Sequence, residues 1–206
     1  MFNIVKEVLS QEANAILNIP ITNDFENAVS LIYKCVHVNG GRLVASGMGK
    51  AGQVADNIST TFSSTGTPAQ FLHPSEAQHG DLGVLRKNDI LLVLSNSGKT
   101  REIVELVDLA RHLHENIPVI VITGNKDSEL PKLAQVTLYT GNPSEVCPLG
   151  LTPTTSTTVM TVMGDALVVL MMKKINFTSV DYSKRHHGGY LGDKSRNQAN
   201  NENNKK

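Results

Sequence analysis

At 206 residues the chain is long enough for one sizeable α/β domain and short for two. Hydrophobic residues make up 40% and 19 basic side chains balance 19 acidic ones, which leaves no basic surplus to suit nucleic acid or an anionic membrane. Cys35 and Cys147, the only cysteines, make neither a disulfide framework nor a metal-ligand spacing. The N-terminus lacks a signal-peptide layout, and the run 148–172, with Pro153, Asp165 and its threonines, is too polar to span a membrane. The expectation is a cytoplasmic protein that recognises anions locally.

In chain order, residues 2–18 have the spacing of an amphipathic helix, with Ile4, Val5, Val8, Leu9, Ala13, Ile16 and Leu17 on one side. Asn23 with Glu26 opens a second, whose stripe of Ala28, Leu31, Ile32, Cys35 and Val36 runs to Asn39-Gly40-Gly41. Five short apolar runs follow: Leu43-Val44-Ala45, Gln70-Phe71-Leu72, Ile90–Leu94, Val119-Ile120-Val121-Ile122 and Val136-Thr137-Leu138-Tyr139. They are continuous rather than alternating, and helical segments separate most of them. That pattern predicts a doubly wound α/β fold on a parallel sheet covered on both faces. Residues 154–174 form one long helix, apolar around much of its circumference, which points to burial on several sides and a subunit interface. The tail 193–206 is polar and Asn-rich, and its composition predicts disorder.

The densest chemistry lies in Ser95-Asn96-Ser97-Gly98-Lys99-Thr100-Arg101-Glu102, between the third strand and a helix start. Helix N-termini attract anions, and Ser95, Ser97 and Thr100 add hydroxyls, so the turn fits a phosphate with Glu102 beside it as a general base. Without a ligand, Ser97 or Thr100 would simply cap the helix and Glu102 would favour its dipole. Gly98-Lys99-Thr100 resembles the end of a Walker A loop, but Val93 occupies the position of its first glycine.

Gly47-Met48-Gly49-Lys50-Ala51-Gly52 fits G-x-G-x-x-G after a strand. A dinucleotide site needs an acid at the end of the second strand, where Phe71, Leu72 and His73 stand instead. The better reading is close backbone approach at Gly47 and Gly49 to a sugar phosphate, with Lys50 reaching developing negative charge; the alternative is a tight turn with a solvated lysine. His73 and His79, after the second strand, lack a zinc spacing and suit polar contacts to substrate, with His73 open to an adventitious metal, or else a structural pair. Glu145 follows the fifth strand, on the edge where ligands of open α/β sheets gather. His186-His187-Gly188-Gly189 lies beyond the last helix and matters only if that segment folds over a site.

Together these landmarks resemble the sugar isomerase (SIS) domain family, and within it the D-arabinose 5-phosphate isomerases. The matching residues are Gly47-Met48-Gly49-Lys50, Ser64-Thr65-Gly66-Thr67-Pro68, His73-Pro74 with His79-Gly80-Asp81-Leu82-Gly83, Ser95-Asn96-Ser97-Gly98, Cys147-Pro148-Leu149-Gly150-Leu151 with Pro153-Thr154, and Met163-Gly164-Asp165-Ala166-Leu167. They span about 1–192, expected to be one isomerase domain. The resemblance implies interconversion of D-ribulose 5-phosphate and D-arabinose 5-phosphate, feeding Kdo, an eight-carbon acid sugar of lipopolysaccharide and capsules. It also implies a homotetramer, and aldose–ketose isomerisation itself requires no metal or organic cofactor. Its catalytic lysine, two glutamates and histidine fall on Lys50, Glu102, Glu145 and His186, and Gly66 and Thr67 join the substrate-binding set. Two departures stand out. Many relatives carry CBS modules after this domain, and this chain stops short of them. Where the family has His-Pro-Gly-Gly, His187 replaces the proline and could substitute for His186.

The expected mechanism places phosphate on Ser95, Ser97 and Thr100, and Lys50 on the enediolate oxygen. One glutamate is the base, Glu102 being preferred. His186, from a neighbouring subunit, aids ring opening or proton shuttling. A hexulose or heptose phosphate isomerase, or a non-catalytic sugar-phosphate or nucleotide-sugar sensor, would share the hydroxyl turn; a sensor would need none of Lys50, Glu102 and Glu145.

Overall fold

The five apolar runs become β1 (Leu43–Gly47), β2 (Ala69–Phe71), β3 (Ile90–Leu94), β4 (Val119–Thr123) and β5 (Val136–Tyr139) in a computed structural model that describes residues 1–203. All pair in parallel, in the order β2-β1-β3-β4-β5. Helices α1 (Phe2–Leu17), α2 (Asp24–Tyr33), α3 (Gly49–Ser64) and α7 (Thr155–Lys174) cover one face; α4 (Pro74–Ala77), α5 (Arg101–Leu113) and α6 (Glu129–Leu133) cover the other. Side chains alternate between the faces. Leu43, Ala45, Leu92, Leu94, Ile120 and Ile122 pack beneath α2, α3 and α7, while Val44, Leu91, Val93, Val119 and Val121 pack beneath α5. Both faces are covered, so the strands need apolar residues at every position. Each fully buried Leu or Ile contributes on the order of 1.5–3 kcal/mol.

The winding reverses between β1 and β3, which are neighbours although β2 lies between them in sequence. Their carboxyl ends diverge into separate turns and leave a crevice, where open α/β sheets bind ligands. At the opposite, amino edge the same two strands are tied by Asp89, wholly buried, which accepts bonds from Arg42 N–H at 2.8 Å, the Arg42 guanidinium at 3.0 Å and Arg86 N–H at 3.0 Å.

Against the expectation for 148–172, helix α7 is long and apolar enough by composition to cross a membrane, but half of its apolar stretch is buried against α1, α2 and α3. At its middle Gly164 lies so close to Ile58 of α3 that a Cβ would stand 2.4 Å from Ile58 Cγ1. Helix α1 has no buried residue, and Phe2, Ile4, Val5, Leu9 and Leu17 are all more than half exposed. After α2 the chain widens into one π-helical turn, Lys34–Val38, rather than continuing as α-helix.

The tail departs from its composition. Following α8 (Ser179–Ser183), α9 spans Gly189–Asn203, so the described part of 193–206 is helical; 204–206 lie outside the described residues. Gly192, Ser195 and Ala199 recur at helical spacing and are buried, so α9 packs through small side chains and close backbone approach, which hydropathy does not register.

Candidate functional site

The crevice at the carboxyl ends of β1 and β3 is a cavity of about 370 Å³. Ser95, Asn96, Ser97 and Thr100 line one wall, Met48, Lys50 and Ala51 a second, and Glu145 with Gly150, Leu151 and Pro153 a third. Ser156, Thr157 and Met160 of α7 close it from above.

The first wall is a self-bonded turn. Ser95, 2% exposed, shares a 2.7 Å hydrogen bond with Thr100 through their hydroxyls and accepts Gly98 N–H at 3.2 Å. Ser97 accepts Lys99 N–H at 3.2 Å. Gly98 sits at φ +63°, and a Cβ there would stand 1.8 Å from Ser128 Oγ, so only glycine fits. Thr100 occupies the N-cap position of α5, yet its hydroxyl is turned to Ser95 and makes no capping bond. The capping alternative therefore does not describe this turn. Ser95, Ser97 and Thr100 line the cavity just ahead of the α5 N-terminus, a location suited to an anion.

The second wall comes from the start of α3. Gly49, at φ +57°, turns the chain out of β1 and sets Lys50 in the helix's first turn, exposed to the cavity.

The third wall holds Glu145 in a fixed attitude. Its Oε2 accepts Thr154 N–H at 2.7 Å, Thr154 Oγ–H at 3.0 Å and Ser156 N–H at 3.2 Å. Partial burial pushes this carboxyl up, but the bonds from Ser156 and Thr154 outweigh burial and hold it below its ordinary value. It is ionised at neutral pH and able to accept a proton. Two residues on, the Cys147 sulfur accepts N–H bonds from Thr152 at 3.1 Å and Leu151 at 3.2 Å. Led by the Thr152 N–H, these bonds draw the thiol pKa down to about 7.

The structure thus unites Lys50, Glu145, Ser95, Ser97 and Thr100, with Gly47 and Gly49 shaping the turn beside Lys50. It does not bring the other expected residues to this cavity. Glu102 is half-buried in the first turn of α5, outside the cavity lining. His73, at the carboxyl end of β2, meets the Phe71 ring edge-on at 6.3 Å, and its buried Nδ1 has no partner among the described residues; His79 is exposed beyond α4. No group of three or more His, Cys, Asp or Glu that could hold a metal occurs among the described residues. His186 stacks on Tyr182 at 3.7 Å, with Nδ1 3.1 Å from the Tyr182 carbonyl, away from its own chain's cavity.

Gly66 and Thr67 lie apart from this chain's own cavity. They precede β2 and so lie at the amino edge of the sheet, opposite the cavity. Thr67 is buried and bonded to His37 Nε2 at 3.1 Å, and Gly66 lies beneath the Phe177 ring. Asn96, Ser156 and Thr157 also line the cavity, and Thr154 bonds Glu145, although none of them is among the sequence-expected site residues. The Thr152-Pro153-Thr154-Thr155-Ser156-Thr157 run was the available signal, since so many hydroxyls at a helix start exceed what one cap needs.

The family model for the SIS domain matches residues 38–170. The arabinose 5-phosphate isomerase KdsD of Yersinia pestis is 44% identical over 191 residues, 92% of this chain and 56% of that protein. The chain therefore spans about half the length of the curated relatives it matches. A Bacteroides fragilis crystal structure, of a protein proposed to be a phosphosugar isomerase involved in capsule formation, superimposes with a TM-score of 0.91 at 63% identity, covering 92% of this chain and 99% of that one. An Escherichia coli protein solved in complex with arabinose 5-phosphate follows at a TM-score of 0.82 and 32% identity, covering 90% and 96%.

Proposed function

The chain belongs to the SIS domain family, and from that premise we propose that it is an aldose–ketose isomerase interconverting D-ribulose 5-phosphate and D-arabinose 5-phosphate. The observation that carries this reading is the meeting of a hydroxyl turn, a lysine and an anchored carboxylate in one cavity. The KdsD relatives and the neighbour that holds arabinose 5-phosphate support the five-carbon substrate, and the capsule-linked neighbour supports a supply of Kdo to capsule or lipopolysaccharide.

The phosphate binds at Ser95, Ser97 and Thr100, and that remote anchorage holds C1 and C2 of the open-chain sugar between Glu145 and Lys50. Glu145 removes the proton on C2 of the aldose. The electron pair enters the C1–C2 bond and the carbonyl electrons move to O1, where the Lys50 ammonium stabilises the oxyanion. The O2 hydroxyl proton passes to O1 and Glu145 returns its proton to C1, giving the ketose. Nothing leaves and no net oxidation occurs, so the step needs no cofactor. Because Glu145 and not Glu102 lines the cavity, Glu145 takes the role of base.

Glu102 and His186 act, in this reading, across subunits of a cytoplasmic homotetramer. Supporting the assembly are the exposed apolar stripe of α1 and an apolar hollow of about 490 Å³ between Ile21, Phe25, Val169 and Leu170. Two free thiols suit a reducing compartment. The test is an assay with D-arabinose 5-phosphate that follows ribulose 5-phosphate formation with and without a chelator. Turnover that survives the chelator is expected. No turnover with this substrate, alongside turnover of a hexulose or heptose phosphate, overturns the substrate assignment.

A further inference from the structure

Helix α7 does not begin as a threonine-capped helix ordinarily does. Such a cap accepts a bond from the second or third helical N–H. Thr154 is the N-cap of α7, with φ −127° and ψ −80°, and its side chain makes no such bond. Its Oγ instead donates to Glu145 Oε2 at 3.0 Å and accepts Val146 N–H at 3.2 Å. The N–H groups of Thr154 and Ser156 end on the same carboxylate oxygen. The upstream carboxylate thus caps the helix, and the threonine hydroxyl is diverted to bridge that carboxylate to the adjoining backbone amide.

We propose that Thr154 is a positioning residue for catalysis, its hydroxyl clamping Glu145 and Val146 so that the carboxylate faces the reacting carbons. This rests on Glu145 being the base. Three donors on one oxygen fix the direction of the carboxylate, and a base must sit within hydrogen-bond reach of the proton it takes. Small misplacements of a reacting group lower rates steeply. The phosphate is held on another wall, so the clamp affects turnover and not substrate capture.

The test compares Thr154→Val, Thr154→Ser and Glu145→Gln in the purified full chain, with thermal unfolding to establish that each variant folds. Thr154→Val is expected to lower kcat about 10-fold with KM nearly unchanged, because it keeps the backbone bonds and loses only the hydroxyl. Thr154→Ser restores turnover, and adding Thr154→Val to Glu145→Gln lowers the residual rate no further. Unchanged kcat in Thr154→Val, while Glu145→Gln is impaired, overturns the positioning role alone. So does an equal loss in the valine and serine variants. Near-normal turnover of Glu145→Gln overturns the reading of Glu145 as base, and the positioning role with it.

Discussion

The turn 95–100 and the loop 140–154 both leave the carboxyl edge of the sheet and wall the same cavity, yet they are held by opposite means. The turn is short and closes on itself, through Ser95 with Thr100, Gly98 with Ser95 and Lys99 with Ser97. The loop is long and has no secondary structure of its own; it is held by two acceptors, the Glu145 carboxylate and the Cys147 sulfur, each gathering N–H groups from the chain that follows. A turn fixed by hydroxyls and a glycine suits a task that does not change during turnover, the holding of phosphate. A loop fixed by charge places an ionised group where protons move. In the proposed reaction the first wall binds and the third carries the chemistry.

Substitution of Glu145 bears most directly on that division. Glu145→Gln keeps the shape of the side chain and removes the base, so kcat should fall by at least about 10²-fold while KM changes little. Steady-state kinetics on both substrates decides it. A change mainly in KM would reverse the assignment of the walls. The same variant carries a stability signature. The folded-state pKa of Glu145 is depressed, so its charge stabilises the fold fully above the unfolded value of about 4.3, and that contribution is lost as pH falls through the lower folded value. The margin of the native chain over Glu145→Gln in urea should therefore shrink on acidification.

The same contrast explains what the sequence discloses. The strands were legible because a sheet covered on both faces needs unbroken apolar runs, and Ile90–Leu94 is short and ends at a hydroxyl-rich turn, as a buried strand does. The hydroxyl turn was legible because its chemistry and its bonding are both local. Glu145 could be placed at the edge, but its anchorage by Thr154 and Ser156 depends on how a long loop folds back, which no local spacing encodes. Glu102 illustrates the converse: it adjoins the phosphate turn in sequence, but the helical rotation of α5 carries it out of the cavity lining. Gly66 and Thr67, taken from the family resemblance, precede β2 and so enter the sheet at the edge away from this chain's own cavity. Helix α9 was hidden because Gly192, Ser195 and Ala199 bury backbone rather than bulky apolar groups.

Gly98→Ala probes the self-closing turn. The new methyl needs a left-handed backbone position and overlaps the buried Ser128 hydroxyl, while the Gly98 carbonyl accepts Leu130 N–H at 3.2 Å, so the start of α6 must shift as well. The expected cost is about 1–3 kcal/mol, seen as a lower urea midpoint at unchanged slope. If this wall only binds, the folded fraction of Gly98→Ala should show a raised KM with kcat largely kept. A lowered kcat at native KM would mean that the turn also positions the reacting carbons.

The gentlest probe reads the charged loop directly. Cys147 is partly exposed, and backbone N–H groups of Thr152 and Leu151 draw its pKa down to about 7. Cys35 is buried, and burial pushes its thiol up. Only the thiolate is nucleophilic, so a single cysteine should react with iodoacetamide in the folded chain, its rate rising through a midpoint near pH 7 rather than the ordinary value of about 8.5. Peptide mapping should place the label on Cys147. A midpoint at the ordinary value would mean that the loop does not keep its N–H groups on the sulfur in solution, and the argument that charge holds this wall would then rest on Glu145 alone. A midpoint near 7 that moves upward in Thr154→Val would instead show that Glu145 and Cys147 hold one cooperative loop, because a hydroxyl that touches only the carboxylate and Val146 would then be felt at the thiol.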